Sequence, residues 1–136
     1  MSGNASPAFV GVPAITQCMA LANAAGTTFT NFYTAPTTNP GNGVLVGRLR
    51  ATSNDTAQHV LQWAVNMGGV DYPIGETVVP AGAGTNGGSI PWKDMLADIT
   101  GGVPLTLAPG ETLRVRSEVA ITAADTISIR MEAAPL

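Results

Sequence analysis

From Glu111 to Glu132 the chain reads ETLRVRSEVAITAADTISIRME. Leu113, Val115, Ser117 and Val119 alternate with Thr112, Arg114, Arg116 and Glu118. After a polar break, Ile127, Ile129 and Met131 alternate with Thr126, Ser128, Arg130 and Glu132. A period of two marks two strands, each with one face on a core and one in water. If they pair as a hairpin, one register sets Glu118 opposite Arg130, Arg116 opposite Glu132 and Val119 opposite Ile129. It keeps the apolar residues on one side and avoids facing arginines. The alternative is a crossover that places the two strands in different sheets.

The remaining pattern supplies partners for these strands. Ile15 to Ala25 reads as a strand in preference to a helix, because it has no helical stripe, and Thr27 to Thr34 reads as a Thr- and aromatic-rich strand. Val44 to Thr52 is a strand with Leu45, Gly47, Leu49 and Ala51 on one face, and Val46, Arg48 and Arg50 on the other. Gln58 to Asn66 places His59, Leu61, Trp63 and Val65 together, and the short turn between these two strands predicts a hairpin. Val70 to Val79, interrupted by Pro73 and Gly75, belongs at a sheet edge, since proline removes a ladder donor. Ser89 to Ile99 reads as a helix with Ser89 as N-cap and Gly101-Gly102 as terminator. Leu105 and Leu107 lie in a short strand before the turn Ala108-Pro109-Gly110-Glu111. About eight short strands and one short helix predict an all-β fold, an antiparallel β-sandwich or jelly roll, with an up-and-down barrel as the other architecture. The domain spans residues 15–136, preceded by an extended arm over residues 1–14 that is small, polar and punctuated by proline.

Composition changes this picture in one respect. Of 136 residues, 45% are hydrophobic and only 11% charged, against roughly 25% charged in ordinary domains. The rest of the surface is Thr, Ser, Asn and Gly. It suits either a Thr-rich β-surface without partners or one that lies against protein, including further copies of itself. The net charge of -3 and the lack of any basic run argue against nucleic acid. No stretch approaches the ~20 apolar residues of a membrane span, and the Met-Ser-Gly-Asn opening lacks a signal-peptide pattern.

Candidate chemistry is sparse. Cys18 is the one cysteine, which excludes an intrachain disulfide and reads as a small buried apolar residue. His59 is the one histidine and shares the apolar parity of Trp63, as a core histidine does. Asp94 and Asp98 stand one helical turn apart without a further acidic cluster, as on a solvated helix face. The Ala81–Gly88 run lacks the lysine and the long helix of a phosphate loop. These readings predict no catalytic residue, metal or cofactor. The arginines carry more: Arg48, Arg50, Arg114, Arg116 and Arg130 all fall at outward strand positions. They form either a partner interface, where arginine is favoured, or cross-strand pairs with Glu118 and Glu132 on a solvated face.

From Asn31 onward the chain resembles small structural proteins of tailed-bacteriophage virions. The likeness rests on Asn31-Phe32-Tyr33-Thr34-Ala35, on the strand ending Arg50-Ala51-Thr52-Ser53-Asn54, and on Thr56-Ala57 followed by Val60-Leu61-Gln62-Trp63. It continues through the Gly-rich loop, the short helix, and Leu107-Ala108-Pro109-Gly110-Glu111-Thr112-Leu113 before the last strands. The resemblance implies a β-sandwich made in the host bacterial cytoplasm and resident in the virion. Its implied role is capsid decoration or cement, bound to the phage major capsid protein or other virion proteins, with tail or baseplate parts as the alternative. It brings no catalytic residues. A carbohydrate- or receptor-binding sandwich is the rival from another class, and needs exposed aromatics among Trp63, Trp92, Tyr33 and Tyr72.

Overall fold

The computed structural model describes residues 14–38 and 41–136. The arm expected over residues 1–14 lies outside these, except for Ala14. Nine strands form among the described residues: β1 Ile15–Ala22, β2 Thr30–Thr34, β3 Val44–Ser53, β4 His59–Met67, β5 Val70–Val79, β6 Lys93–Asp94, β7 Leu105–Leu107, β8 Thr112–Ser117 and β9 Thr126–Pro135. A helix, α1 Leu96–Ile99, lies between β6 and β7. Sheet one runs β1-β9-β3-β6, with β7 also on β3; sheet two runs β2-β8-β4-β5. Every described pairing is antiparallel. The two open sheets make a β-sandwich, as the alternation predicts, rather than a barrel.

The inner faces meet around Trp63, which is fully buried and meets Phe32 edge to face, with ring centroids 5.6 Å apart and planes at 89°. Leu61, Val65, Leu113 and Val115 complete the sheet-two side, and Leu49, Ala51, Ile127, Ile129 and Met131 face them from sheet one. The parity of His59, Leu61, Trp63 and Val65 is as read from sequence. β5 is an edge strand, with its register shift beside Pro73 and Gly75 where proline is tolerated.

Both expected hairpins are instead crossovers. β8 and β9 never pair: β8 lies between β2 and β4, and β9 between β1 and β3. Each carries one buried face, and two such strands satisfy that pattern facing each other across a core as well as side by side. Val119, expected opposite Ile129, is 69% exposed, and Ile121 plugs the core from the crossover instead. Likewise β3 and β4 lie in opposite sheets.

β3 also changes parity midway. Val44 and Val46 are buried, then Leu49, Ala51 and Ser53. Arg48 pairs with Glu132 and Val46 with Ala133, so Gly47 is the extra residue of a β-bulge that turns the faces over. The helix is shorter than the Ser89–Ile99 expected. Lys93 and Asp94 join the edge of β3 opposite Ala51 and Arg50, and the Met95 N–H bonds the Leu49 carbonyl at 2.8 Å. Only the turn after them is helical, with Asp94 Oδ1 accepting the Leu96 N–H at 3.1 Å. Cys18 is exposed rather than buried, because it takes the outward parity of β1.

Candidate interaction surface

The crossover topology separates the five arginines onto opposite outer faces. Arg114 and Arg116, on β8, belong to sheet two; Arg48 and Arg50, on β3, and Arg130, on β9, belong to sheet one. They therefore do not form one cluster.

On sheet two the guanidiniums are occupied within the chain. Arg114 Nη1 donates to Asp71 Oδ1 and Oδ2 at 3.1 and 2.8 Å, and Nη2 to the Phe29 carbonyl at 3.0 Å. Arg116 Nε donates to Gln62 Oε1 at 2.7 Å. Both guanidiniums lie over the Phe29 ring, at 5.8 and 5.3 Å. The Asn66 amide hydrogen bond, with help from Arg114 and against the opposing effect of burial, holds the Asp71 carboxyl below its ordinary range. The adjoining Glu118 carboxyl pushes Glu76 upward. Both guanidiniums of this face are thus engaged within the chain, while the buried Arg114 Nε has no hydrogen-bond partner among the described residues.

Sheet one differs. Arg50 stands in register with Arg130, and Arg130 with Cys18. Glu132 lies 3.8 Å from Arg50 and 4.0 Å from Arg130. Asp94, the register partner of Arg50 on β6, turns its carboxylate to the Leu96 N–H. The Arg50 guanidinium covers one side of Trp92 at 5.5 Å, and Trp92 remains 47% exposed. Between them runs an open groove of about 490 Å³, lined by Cys18, Ala20, Arg50, Trp92, Ser128 and Arg130. Arg48 lies in an adjoining depression of about 330 Å³ that shares Arg50 and Trp92 as its wall.

The Gly-rich loop holds this wall. Ser53 N–H donates to the Ala83 carbonyl and Gly84 N–H to the Ile90 carbonyl, both at 2.8 Å. At Gly84, with φ +70°, a Cβ would stand 2.7 Å from Thr52 Cγ2 and 3.2 Å from Trp92 Cβ. Only glycine lets the loop lie so close. Sequence reading placed Trp92 within the expected Ser89–Ile99 helix and named it only as a candidate exposed aromatic; the further signal available was its position after Pro91, directly behind a glycine run. The groove thus offers guanidinium forks, an aromatic face and hydroxyls, the set that engages carboxylates and carbonyls of a protein surface.

A second cluster resembles a catalytic triad in composition. His59 Nε2 is 2.8 Å from Asp55 Oδ2, and Ser117 Oγ is 3.2 Å from His59 Nδ1. Asp55 also accepts the Ala57 N–H at 3.0 Å and the Thr122 N–H and hydroxyl, each at 2.9 Å. Burial alone would raise the Asp55 carboxyl. The Ala57 and Thr122 amides, with His59 and the Thr122 hydroxyl, outweigh it and hold the carboxyl well below the usual carboxylate range. Ser117, His59 and Asp55 are 2%, 4% and 1% exposed. A nucleophile must reach a substrate atom, and Ser117 Oγ instead donates to the Val119 carbonyl inside the protein. The cluster pins the β3–β4 crossover to the β8–β9 crossover. His59 is the core histidine its parity predicts.

Asp98 accepts from Thr77 at 2.6 Å and pairs with Lys93 at 2.9 Å, so it and Asp94 do not converge. Among the described residues, no three His, Cys, Asp or Glu side chains gather where a metal ion would sit, and no helix is long and apolar enough to cross a membrane. No family model and no curated protein matches the chain. Among solved structures, it is similar to a chain of the cyanophage Pam1 capsid asymmetric unit, with 15% identity and a TM-score of 0.47 over 92% of this chain and 85% of that one. A likeness at that score carries no functional inference.

Proposed function

We propose that this chain is a structural protein of a tailed-phage virion, specifically a decoration or cement protein that binds the assembled capsid shell. The observation that carries this reading is the outer face of sheet one. There Arg50 and Arg130 share Glu132 as a close carboxylate, beside a half-exposed Trp92, and Arg48 lines the adjoining depression. Arginine and tryptophan are the residues that anchor protein interfaces. The low-charge remainder of the surface and the sequence resemblance from Asn31 onward support a protein that works against other protein. Mechanistically, the groove receives acidic or carbonyl groups at subunit junctions of the shell. Many weakly bound copies together then stabilise the particle. The domain is residues 15–136, and no cofactor, nucleic acid or catalytic step enters this reading.

Co-sedimentation of purified protein with assembled particles tests it. Binding near the stoichiometry of the major shell protein supports decoration, and a handful of copies per particle shifts the reading to the tail or baseplate. Failure to bind any particle overturns both. The open face of Trp92 favours one further reading, a carbohydrate-binding sandwich, for which glycan-array binding abolished by Trp92→Ala is the test.

A further inference from the structure

We propose that the outer edge of β1 is a seam at which two copies of this chain join, strand against strand, in an antiparallel pair. The seam rests on the edge alone and stands whether or not the chain belongs to a virion.

Edge strands invite pairing with other chains, and folded proteins blunt them with charge, proline, bulges or brevity. Three of the four edges here are blunted. β5 carries Asp71, Glu76, Pro73 and a register shift; β2 has five residues and a register shift; β6 and β7, sharing one edge, have two and three residues. β1 has none of these devices. Its eight residues, ITQCMALA, contain no charge, proline or glycine, and pair with β9 without a bulge. Among the described residues, β1 has no strand neighbour on its other side.

The occupant follows from β1 itself. Thr16, Cys18 and Ala20 face outward, while Ile15, Gln17, Met19 and Leu21 face the core side, where Ile15 and Met19 stay only partly covered. A partner strand must continue both faces without introducing charge, and a second β1 does so. In an antiparallel self-pair, matched faces require inward residues opposite inward ones. Pairing Ile15 with Leu21, Thr16 with Ala20, Gln17 with Met19 and Cys18 with Cys18 meets this, and covers Ile15 with the second copy's leucine. Shifting the centre to Met19 leaves Ile15 outside the pair. The strand has no charges to repel across the seam. One strand pair sits at the low end of interface sizes, below about 1,200 Å² in total, so the dimer is weak and concentration-dependent.

Cys18 reports this register, since residues directly opposite in an antiparallel pair have Cα atoms about 4.5–5.5 Å apart. The full chain is treated with a short bis-maleimide, alongside a Cys18→Ser/Ala20→Cys variant in which the thiols would lie several residues out of register. The expected result is a concentration-dependent dimer in sedimentation velocity, with covalent dimer from Cys18 exceeding that from the variant by about tenfold through effective concentration. A clean monomer at the highest soluble concentration overturns the seam, as does equal cross-linking at the two positions. Particle binding plays no part in the readout, so this test and that of the virion reading fail separately.

Discussion

Arg50 and Arg130 stand directly opposite each other on neighbouring strands of sheet one, with the Glu132 carboxylate 3.8 Å from the first and 4.0 Å from the second. Facing like charges are unfavourable in an antiparallel pair, and one shared carboxylate offsets the repulsion only in part. The proposed interface would bring a second carboxylate or carbonyl to this pair.

Removal of that carboxylate exposes the repulsion. Glu132→Gln is expected to destabilise the fold by about 0.2–1 kcal/mol in dilute buffer. Urea denaturation at low and at molar salt checks it. The difference from wild type should shrink as salt screens the two guanidiniums.

The two arginine faces are expected to separate stability from binding. Arg114→Ala leaves Asp71 with only the Asn66 amide and takes the guanidinium donor from the Phe29 carbonyl, and should cost about 1–3 kcal/mol while leaving particle binding intact. Arg130→Ala should change stability by about 1 kcal/mol or less and weaken binding. Paired urea titrations and co-sedimentation read the two effects; the reverse assignment would place the interface on sheet two.

Trp63 is the largest fully buried side chain, yet its indole Nε1 has no hydrogen-bond partner among the described residues. Trp63→Ala is expected to cost about 3–5 kcal/mol. Trp63→Phe should cost clearly less, because it removes an unpaired buried donor together with the lost volume. Urea unfolding of the two variants gives the comparison.

Stability should fall in acid. The folded-state carboxyls of Asp55, Asp71 and Asp98 are all depressed: Asp98 by the Thr77 hydroxyl first and Lys93 next, the others by the contacts described above. A depressed carboxylate contributes stability above its unfolded value, near 3.9, and loses it as pH falls through the lower folded value. Glu76, raised by Glu118, acts in the opposite direction, since acid relieves that repulsion. Denaturation between neutral pH and pH ~2 should show a falling limb. Asp55→Asn should lower stability at neutral pH and make that limb shallower.

The alternation of Leu113, Val115 and Ser117, and of Ile127, Ile129 and Met131, was legible as strands because period two records which face is buried. It does not record which strand lies alongside, so the hairpin and the crossover fit the same letters. The edge position of β5 was legible because Pro73 cannot donate. The parity change in β3 was not: a bulge at Gly47 is a choice made with β9, far along the chain. Helix propensity near Lys93 lost to tertiary pairing with β3 for the same reason. Trp92 acquires its role only once Gly84 and Arg50 are packed around it. The outward positions of the arginines could be read locally, but their division between two faces depends on strand order.

Among the nine described strands, only the β4–β5 and β6–β7 connections remain within one sheet, so six of the eight connections change sheet. β9, which follows every other described strand in the chain, occupies a central place between β1 and β3. Until β9 is made, sheet one lacks its centre, with β1 on one side and β3, β6 and β7 on the other, and the slot between them fits the β9 of a neighbouring nascent chain equally well. Folding dominated by such distant pairings is slow, on the order of milliseconds to seconds. The yield of monomeric chains should depend on how quickly β9 of each chain reaches its own slot, and crowding of ribosomes on one message should favour strand exchange between chains.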